Sequence, residues 1–344
     1  ALNHMRAGLE NWLQRTWYQT HRPPWFLRTL EPIYRTLFRH SQKKQSTTSE
    51  HFHSKLPLIV VGNITVGGSG KTPLVLHLCK LAKEMNLRPG IASTGYGRVG
   101  DETLMVGADG DARLCGDEPV MLAGRTGAPV VVAKRRIDAI KTLNEMDLDI
   151  IFSDDGLQHF EIRGNIEFCV VDGARGMGNG HLLPAGPLRE PAGRIYQVDY
   201  VITNGIWVDR PAELEVHVMQ LEAQEFRSLD DTKTIPVTQF RQMYEGKTTH
   251  AVAGIGNPQR FFDSLDKLGI KTVPHRFPDH HPFTIDGMEP MTTDAAIIMT
   301  EKDAVKCRPL GLENAWYVPV ETRLPGEFES AFKARLADLI KERK

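Results

Sequence analysis

Residues 60–73 read VVGNITVGGSGKTP and constrain the fold of this chain more than any other segment. The apolar run LPLIVVG leads into this segment and is typical of a buried strand, and the residues after it show the periodicity of an amphipathic helix. A glycine-rich turn between a strand and a helix is the context of the phosphate-binding loop, whose pattern is G-x-x-x-x-G-K-[ST]. Gly70, Lys71 and Thr72 fit this pattern, whereas Thr65 stands where the first glycine is expected, at the predicted end of the strand.

The loop keeps the chemistry of a triphosphate site despite that departure. Gly67, Gly68 and Gly70 allow a curled backbone whose N–H groups point inward, and the N-terminus of the next helix attracts an anion. Lys71 can reach the β- and γ-phosphates, and the Thr72 hydroxyl can bind Mg²⁺. A plain glycine-rich turn is the alternative. The predicted nucleotide-binding residues are Thr65, Gly67, Gly68, Ser69, Gly70, Lys71 and Thr72.

From residue 56 onward, short apolar runs alternate with helical segments. Runs such as LPLIVVG, DLDIIFSDD and IEFCVVD are typical of buried strands, and their alternation with helices predicts a doubly wound, mostly parallel α/β sheet. At 344 residues, the chain is long enough for two domains. We predict a P-loop NTPase-like core over 56–230, completed by a C-terminal helix over 326–343, and a smaller α/β domain with linking strands over 231–325.

The N-terminal region has an aromatic and basic pattern of its own. Over residues 5–40, apolar side chains recur at helical spacing, arginines lie between them, and Pro23 and Pro24 interrupt the pattern. Such amphipathic helices suit a membrane interface, so a membrane surface is an expected partner. Two helices packed on the core, with solvated arginines, are the alternative. Residues 41–55 are polar and aperiodic, which predicts a linker.

Composition argues against several functional classes. The formal net charge of −1 gives no indication of nucleic-acid binding. The 4 cysteines form no C-x-x-C pair, which argues against a zinc ribbon or a disulfide framework and fits a reducing compartment. No apolar run approaches the ~18 residues that a membrane-spanning helix needs.

Acidic side chains occur in three further segments that are candidates for catalysis or metal binding. Asp154 and Asp155 end the run DLDIIFSDD, at the sheet edge where α/β proteins place their sites, so they are expected near Mg²⁺ unless they form a solvated turn. Asp117 in GDEP can accept a proton from a hydroxyl or cap a helix. In FPDHHPF, an aspartate precedes His280 and His281, which can share a catalytic proton, bind a metal or lie in a structural turn.

The segment 181–191, HLLPAGPLREP, is a proline- and glycine-rich loop that ends in Arg189 and Glu190. Together with Arg175 and Asn179, it can line a pocket for an acceptor substrate. A plain surface connection is the alternative.

Seven motifs, taken in order, resemble those of one known family. They are NITVGGSGKTP, STGYGR, GDEP, SDDGLQH, NGHLLPAGPLREP, FPDHHPF and MTEKDAVK. This set closely resembles the tetraacyldisaccharide 4′-kinases, the lipid A 4′-kinases of Gram-negative bacteria, from about residue 7 to the final helix. Threonine at position 65 is similar to this family's own form of the phosphate-binding loop.

The resemblance implies a function for the whole chain. The implied reaction is transfer of the γ-phosphoryl group of ATP, with Mg²⁺, to the 4′-hydroxyl of tetraacyldisaccharide 1-phosphate, which gives lipid IV-A. The implied enzyme is a monotopic protein on the cytoplasmic face of the bacterial inner membrane. We expect it to be a monomer that binds this lipid and the membrane surface but no nucleic acid.

The resemblance also implies residue roles. Lys71 and Asp117 are expected to be catalytic, Asp117 as the base, with His280 favoured over His281 as its partner. The implied Mg²⁺ ligands, direct or through water, are Thr72, Glu118, Asp154 and Asp155. The expected substrate-binding residues are Arg98, Gln158, His159, Asn179 and Arg189.

Two other classes of protein remain as alternatives. A metallochaperone-type P-loop GTPase or ATPase would act on a protein partner, but the segment ITNG at 202–205 lacks the lysine and aspartate of an N-K-x-D guanine site. The second is a membrane-binding ATPase that drives a partner protein and catalyses no reaction on a substrate other than ATP. The loop around 175–191 and the acid of GDEP argue against this class. ATP hydrolysis without lipid distinguishes such an ATPase from a lipid kinase.

Overall fold

The structure is a computed structural model that describes residues 2–19, 22–48, 52–288, 291 and 295–342. Its α-helices in these residues are α1 (Leu2–Tyr18), α2 (Trp25–Thr48), α3 (Lys71–Glu84), α4 (Ala112–Cys115), α5 (Asp117–Thr126), α6 (Arg136–Asn144), α7 (Val237–Met243), α8 (Pro258–Lys267), α9 (Ile285–Met288), α10 (Glu301–Cys307) and α11 (Gly326–Lys341). Its strands are β1 (Leu58–Gly62), β2 (Pro89–Ser93), β3 (Leu104–Val106), β4 (Val130–Val132), β5 (Ile150–Asp154), β6 (Ile166–Asp172), β7 (Tyr200–Asn204), β8 (His217–Ala223), β9 (Glu225–Ser228), β10 (Thr234–Pro236), β11 (Thr249–Ala253), β12 (Val273–Arg276), β13 (Ala296–Thr300), β14 (Ala315–Val318) and β15 (Val320–Arg323).

The chain forms two compact units. The first contains residues 1–94, 133–220 and 324–344, and the second contains 95–132 and 221–323. Residues 95–132 were predicted to be part of the core instead. These residues join the second unit because α5 packs on α10, where Arg125 of α5 forms a 2.8 Å ion pair with Glu301.

The first unit is built on a parallel sheet with the strand order β8-β7-β6-β1-β5-β2. Every residue of β1 and β5 is buried, as expected for central strands covered on both faces. The predicted α/β fold with a large parallel sheet is therefore confirmed. Helix α11 belongs to this unit, and its Phe332 packs on Phe168 of β6 with ring centroids 5.6 Å apart.

The second unit has its own sheet, with the order β10-β9-β14-β13-β11-β12. Strands β11 to β14 are parallel, whereas β9 and β10 pair antiparallel. Phe226 and Phe240 stack with centroids 3.9 Å apart and pack with Trp316 in a buried apolar cluster. Helix α10 follows directly after β13, so its first turn lies at the carboxyl end of a central strand.

The N-terminal helices are attached to the first unit by specific hydrogen bonds. Trp17 Nε1 donates to the Pro184 carbonyl at 2.9 Å, and Tyr34 donates its hydroxyl to the Arg189 carbonyl at 2.9 Å. No helix in the described part of the chain is long and apolar enough to cross a membrane.

The prediction of a linker over 41–55 is wrong for residues 41–48, which continue α2. Helix formation there is supported by packing, because Phe38 contacts Phe160 edge to face and Gln45 Oε1 accepts the Phe160 N–H at 3.0 Å. Residues 49–51 of the predicted linker lie outside the described residues.

Candidate active site

The phosphate loop, residues 65–72, has the backbone that its glycines predict. Gly67 and Gly70 adopt φ values of 104° and 100°, and Gly70 is the N-cap of α3. A Cβ atom at Gly70 would lie 2.5 Å from Asn204 Nδ2. That Asn204 amide donates to the Ser69 carbonyl at 3.2 Å, so the carboxyl end of β7 supports the loop.

Thr65 lies in a different place from the one expected. Its predicted position was the end of the strand, but β1 ends at Gly62 and the chain then turns. Thr65 is buried and forms an antiparallel bridge with Leu188, while the Val66 N–H donates to the Pro187 carbonyl at 2.8 Å. The 181–191 loop thus pairs with the start of the phosphate loop, and a threonine suits this extended conformation.

The Asp155 carboxylate lies among several cationic side chains beside the phosphate loop. Its carboxylate lies 3.6 Å from Lys71 Nζ and 3.4 Å from an Arg189 nitrogen. Burial would raise its pKa, but the charges of Lys71, Arg189 and Arg136 lower the pKa of Asp155 to about 2. Asp154, the last residue of β5, is buried. Both acids therefore lie at the expected sheet edge, and Asp155 is ionised at neutral pH.

Arg136 is a residue of this site that the sequence analysis missed. Its side chain is fully buried, and its guanidinium donates to the carbonyls of Ala92 at 2.7 Å and Asp155 at 3.2 Å. Burial lowers its pKa, and the charges of Asp154 and Asp155 oppose that effect. In the sequence, the signal for a special role of Arg136 was its position in the first turn of a helix, where the helix dipole disfavours a positive charge.

Gln158 and His159 follow the two acids, and the side-chain amide of Gln158 is bonded within the protein. Gln158 Nε2 donates to the Asn63 carbonyl at 2.8 Å and to Glu190 Oε1 at 2.6 Å. Burial, and then the charge of Arg136, lowers the pKa of His159 to about 4. His159 is therefore neutral at physiological pH.

The Asn179 side chain forms hydrogen bonds with backbone groups of the protein. Its side-chain amide donates to the carbonyls of Ala185 at 2.9 Å and Thr16 at 3.4 Å, and its Oδ1 accepts the His181 N–H at 3.2 Å. These bonds hold the turn before the 181–191 loop against the end of α1. Asn179 therefore shapes the loop, and its substrate-binding role stays a prediction.

In the second unit, Asp117 and His280 are in direct contact. His280 Nδ1 lies 3.1 Å from each carboxylate oxygen of Asp117. His281 instead packs between the rings of Phe277 and Phe283, with centroids 4.7 and 5.1 Å away. Asp117 is not the helix cap considered above, because Gly116 occupies that position and Asp117 is the first residue of α5.

Two lysines of α10 lie beside this pair, and neither had a role predicted from the sequence. Lys302 Nζ contacts Glu118 at 2.9 Å, and Lys306 Nζ lies 3.7 Å from Asp117. Burial would raise the pKa of Asp117, but the hydrogen bond from His280 and the charges of both lysines lower it to about 2. The available signal was the motif MTEKDAVK, with two lysines one helical turn apart after a buried strand.

Arg98 and Glu118 also belong to the second unit. Arg98 donates to the Glu102 carbonyl at 2.7 Å, and its other terminal nitrogen is buried with no hydrogen-bond partner among the described residues. The predicted metal ligands are thus divided, with Glu118 in one unit and Thr72, Asp154 and Asp155 in the other. No group of three or more His, Cys, Asp or Glu within the described ranges could hold a metal ion.

The first unit combines a parallel sheet, a glycine-rich loop capping a helix, a loop lysine and acids at the end of the adjacent strand. This combination defines the class of P-loop NTPase-like proteins. The family model for tetraacyldisaccharide-1-P 4′-kinase (LpxK) matches residues 23–337. The chain therefore belongs to the tetraacyldisaccharide 4′-kinase family, as its motifs predicted, and is a lipid kinase.

Curated relatives and a solved structure agree with this assignment. The chain is 41% identical over 342 residues to the tetraacyldisaccharide 4′-kinase of Hahella chejuensis, covering 97% of this chain and 98% of the relative. It is 39% identical over 334 residues to that of Pseudomonas fluorescens, covering 96% and 97%. A crystal structure of LpxK from Aquifex aeolicus in complex with ATP matches with a TM-score of 0.74 and 25% identity, covering 91% of this chain and 98% of that one. These comparisons do not favour the GTPase alternative.

Proposed function

We propose that this chain uses ATP to phosphorylate the 4′-hydroxyl of tetraacyldisaccharide 1-phosphate, with Asp117 as the base. The observation that carries the residue assignment is the buried Asp117 carboxylate, whose two oxygens both lie 3.1 Å from His280 Nδ1. An ionised carboxylate fixed by a histidine is a suitable acceptor for a hydroxyl proton.

The phosphate loop fits a nucleoside triphosphate. Ser69 Oγ is buried with no hydrogen-bond partner among the described residues, so it can donate to a phosphate oxygen. The backbone at Gly67 and Gly70 adopts positive φ values just before the N-terminus of α3, whose first N–H groups have no partner within the helix. Lys71 supplies the positive charge. We assign the triphosphate of ATP to this loop.

The oxygen donors of the chain also suit Mg²⁺, which prefers hard ligands and keeps several waters. We assign the Thr72 hydroxyl and the Asp154 carboxylate as the groups nearest the ion. Asp155 and Glu118 already contact cationic side chains, so we assign them contact through water. When bound, Mg²⁺ would neutralise charge on the phosphates.

The chemical step follows from these assignments. The 4′-oxygen forms a bond to the γ-phosphorus, the bond between that phosphorus and the β,γ-bridging oxygen breaks, and ADP leaves. Asp117 takes the hydroxyl proton, and His280 donates Nδ1–H to hold the carboxylate in place. Lys71 and the loop amides stabilise the charge on the phosphoryl oxygens.

Arginines are suited to the anionic head group of the lipid, because a guanidinium can bind two phosphate oxygens at once. Arg98 has a buried nitrogen without a partner among the described residues, and Arg189 lies next to Asp155. We propose these two residues for the 1-phosphate. Gln158 and His159, which follow Asp155 directly, are proposed neighbours of the sugar.

The N-terminal helices support attachment to a membrane surface. Along α2, the apolar side chains of Trp25, Ile33 and Leu37 are 76%, 56% and 64% exposed. Arg28, Arg35 and Arg39 lie on the same helix, as in interfacial helices that meet anionic lipids. We propose a monomeric, peripheral protein on the cytoplasmic face of the bacterial inner membrane.

The test is ATP-dependent phosphorylation of tetraacyldisaccharide 1-phosphate in mixed micelles. The wild type should form the bisphosphate, whereas Asp117→Asn and Lys71→Ala should lose most of this activity. Asp199→Asn and Lys333→Ala are matched controls, since both residues lie in surface ion pairs with Arg335 and Glu84. If Asp117→Asn stays active, Asp117 is not the base. If ATP is hydrolysed freely and no lipid product forms, the chain is instead an ATPase that drives a partner.

A further inference from the structure

Lys302 occupies the centre of the charged groups around His280. Its Nζ lies 2.9 Å from Glu118 Oε1, 3.1 Å from Asp279 Oδ1 and 3.3 Å from His280 Nε2. Its side chain is only 13% exposed. An ammonium has three N–H donors and no acceptor, so these three contacts use its full capacity.

The two nitrogens of the His280 ring therefore face groups of opposite character. Nδ1 faces Asp117, which accepts hydrogen bonds when ionised, and Nε2 faces Lys302, which only donates. The neutral ring with its proton on Nδ1 satisfies both neighbours. The other neutral tautomer places a lone pair against the carboxylate and an N–H against the ammonium. The imidazolium places a second positive charge 3.3 Å from Lys302.

Without Lys302, the surroundings would favour the imidazolium. Asp279 Oδ1 lies 3.7 Å from Nε2, and its negative charge would stabilise a proton on that nitrogen. The Tyr96 ring is a further neighbour, 5.0 Å from the imidazole centroid, and Lys306 Nζ lies 3.7 Å from Asp117. Lys302 thus opposes the two carboxylates that face the ring, both by its charge and by its bond to Asp279.

We propose that Lys302 is a positioning residue, whose ammonium keeps Nε2 of His280 as an unprotonated acceptor so that the ring presents Nδ1–H to Asp117. This assignment rests on the proposed roles of Asp117 and His280 in phosphoryl transfer. The pKa of His280 is raised overall: burial lowers it, the Asp117 hydrogen bond and the charges of Asp117 and Asp279 raise it, and the charge of Lys302 limits that rise.

The first test is ¹⁵N NMR of the full chain labelled at histidine, with the His280 signals assigned by their loss in His280→Gln. Above its pKa, the neutral ring should carry its proton on Nδ1. A neutral ring protonated on Nε2 overturns the proposal. This measurement needs no lipid and no nucleotide, so it stands or fails separately from the proposed reaction.

The second test is the titration of the same signals in two variants. Lys302→Met should raise the pKa of His280 by about one unit or more, since a like charge within hydrogen-bonding distance is removed. Lys302→Arg, which keeps the charge, should restore most of the wild-type value. Lys333→Met removes a lysine from an ion pair with Glu84 in the first unit and should leave the His280 titration unchanged.

Kinetics provide the matching functional readout. In Lys302→Met the acidic limb of the kcat profile should move to higher pH by the same amount as the NMR titration. A purely structural role would lower kcat at all pH values without moving the limb. An unshifted His280 titration in folded Lys302→Met also overturns the proposal.

Discussion

The Nδ1 atom of His280 lies 3.1 Å from both carboxylate oxygens of Asp117, which begins helix α5. The two residues are 163 positions apart in the chain. The neighbouring histidine, His281, lies among aromatic rings instead. This arrangement distinguishes the two histidines, which the motif FPDHHPF could not do.

Asp117 and His280 should act as one catalytic unit. Asp117→Asn should lower kcat by about 100- to 10,000-fold, the range for loss of a general base. The double variant with His280→Gln should cost little more than Asp117→Asn alone, because residues that act together are not additive. The measurement is kcat for lipid phosphorylation at saturating ATP. The matched control is His281→Gln, which should keep near-wild-type kcat; fully additive losses would contradict a shared role.

Gly70→Ala should abolish ATP binding. A Cβ atom there would lie 2.5 Å from Asn204 Nδ2 and 2.7 Å from Met219 Cε, at a φ of 100° that side chains rarely adopt. The phosphate loop must then shift away from β7. Isothermal titration with ATP measures the loss. Gly193→Ala is the control, since its Cβ meets nothing within 4 Å, and equal ATP affinity in both variants would contradict the proposed cradle.

His159 should make the free energy of unfolding depend on pH in the mildly acidic range. Burial lowers its pKa from 6.5 to about 4 in the folded state, so between these values the unfolded chain binds a proton that the folded chain does not. Stability should therefore fall as pH drops from 6.5 towards 4, by up to about 1.4 kcal/mol per pH unit from this residue. Urea unfolding of wild type and His159→Gln at pH 7, 6 and 5 measures it.

The variant at position 159 should show a flatter dependence of unfolding free energy on pH in that window. His53→Gln, at an exposed position, is the control and should follow the wild-type curve. Parallel curves for wild type and His159→Gln would show that the pKa of His159 does not differ between the folded and the unfolded chain.

Attachment to anionic membranes should depend on the apolar face of α2. A triple variant with Trp25, Ile33 and Leu37 changed to serine should lose most of its binding to vesicles of phosphatidylglycerol and phosphatidylethanolamine. The physical reason is the loss of apolar area that the interface would bury, at about 25 cal/mol per Å². Co-sedimentation measures the bound fraction.

Val208→Ser is the control for this experiment. Val208 is 83% exposed, more than any of the three α2 residues, but it lies in the loop after β7 and not on an amphipathic helix. Equal loss of vesicle binding in Val208→Ser and the triple variant would contradict a specific role for α2.

The sequence by itself determined the fold class and the family. The alternation of buried strands with helices, and the glycines at 67, 68 and 70, are local features that depend on backbone sterics and hydrophobic burial. Such features can be read along the chain because each requires only its own neighbours. The seven ordered motifs identified the family, and the family model bears this out.

Only the tertiary structure decided which side chains meet. Thr65 was expected at a strand end, but its bridge to Leu188 depends on how a loop more than 120 residues later folds back. Helix α2 extends through Thr48 because Phe160, far along the chain, packs against it. Polar composition alone predicted a linker, since local propensity does not include such contacts.

The same reason explains the residues that were missed. Arg136, Lys302 and Lys306 are ordinary basic residues in sequence, and their roles arise only where burial removes water and the charges of nearby carboxylates act on them or on their neighbours. Electrostatic strength depends on distance and dielectric, and neither is encoded in spacing along the chain. The sequence therefore identifies the types of reactive side chain in the site, while the fold sets the protonation states of those side chains.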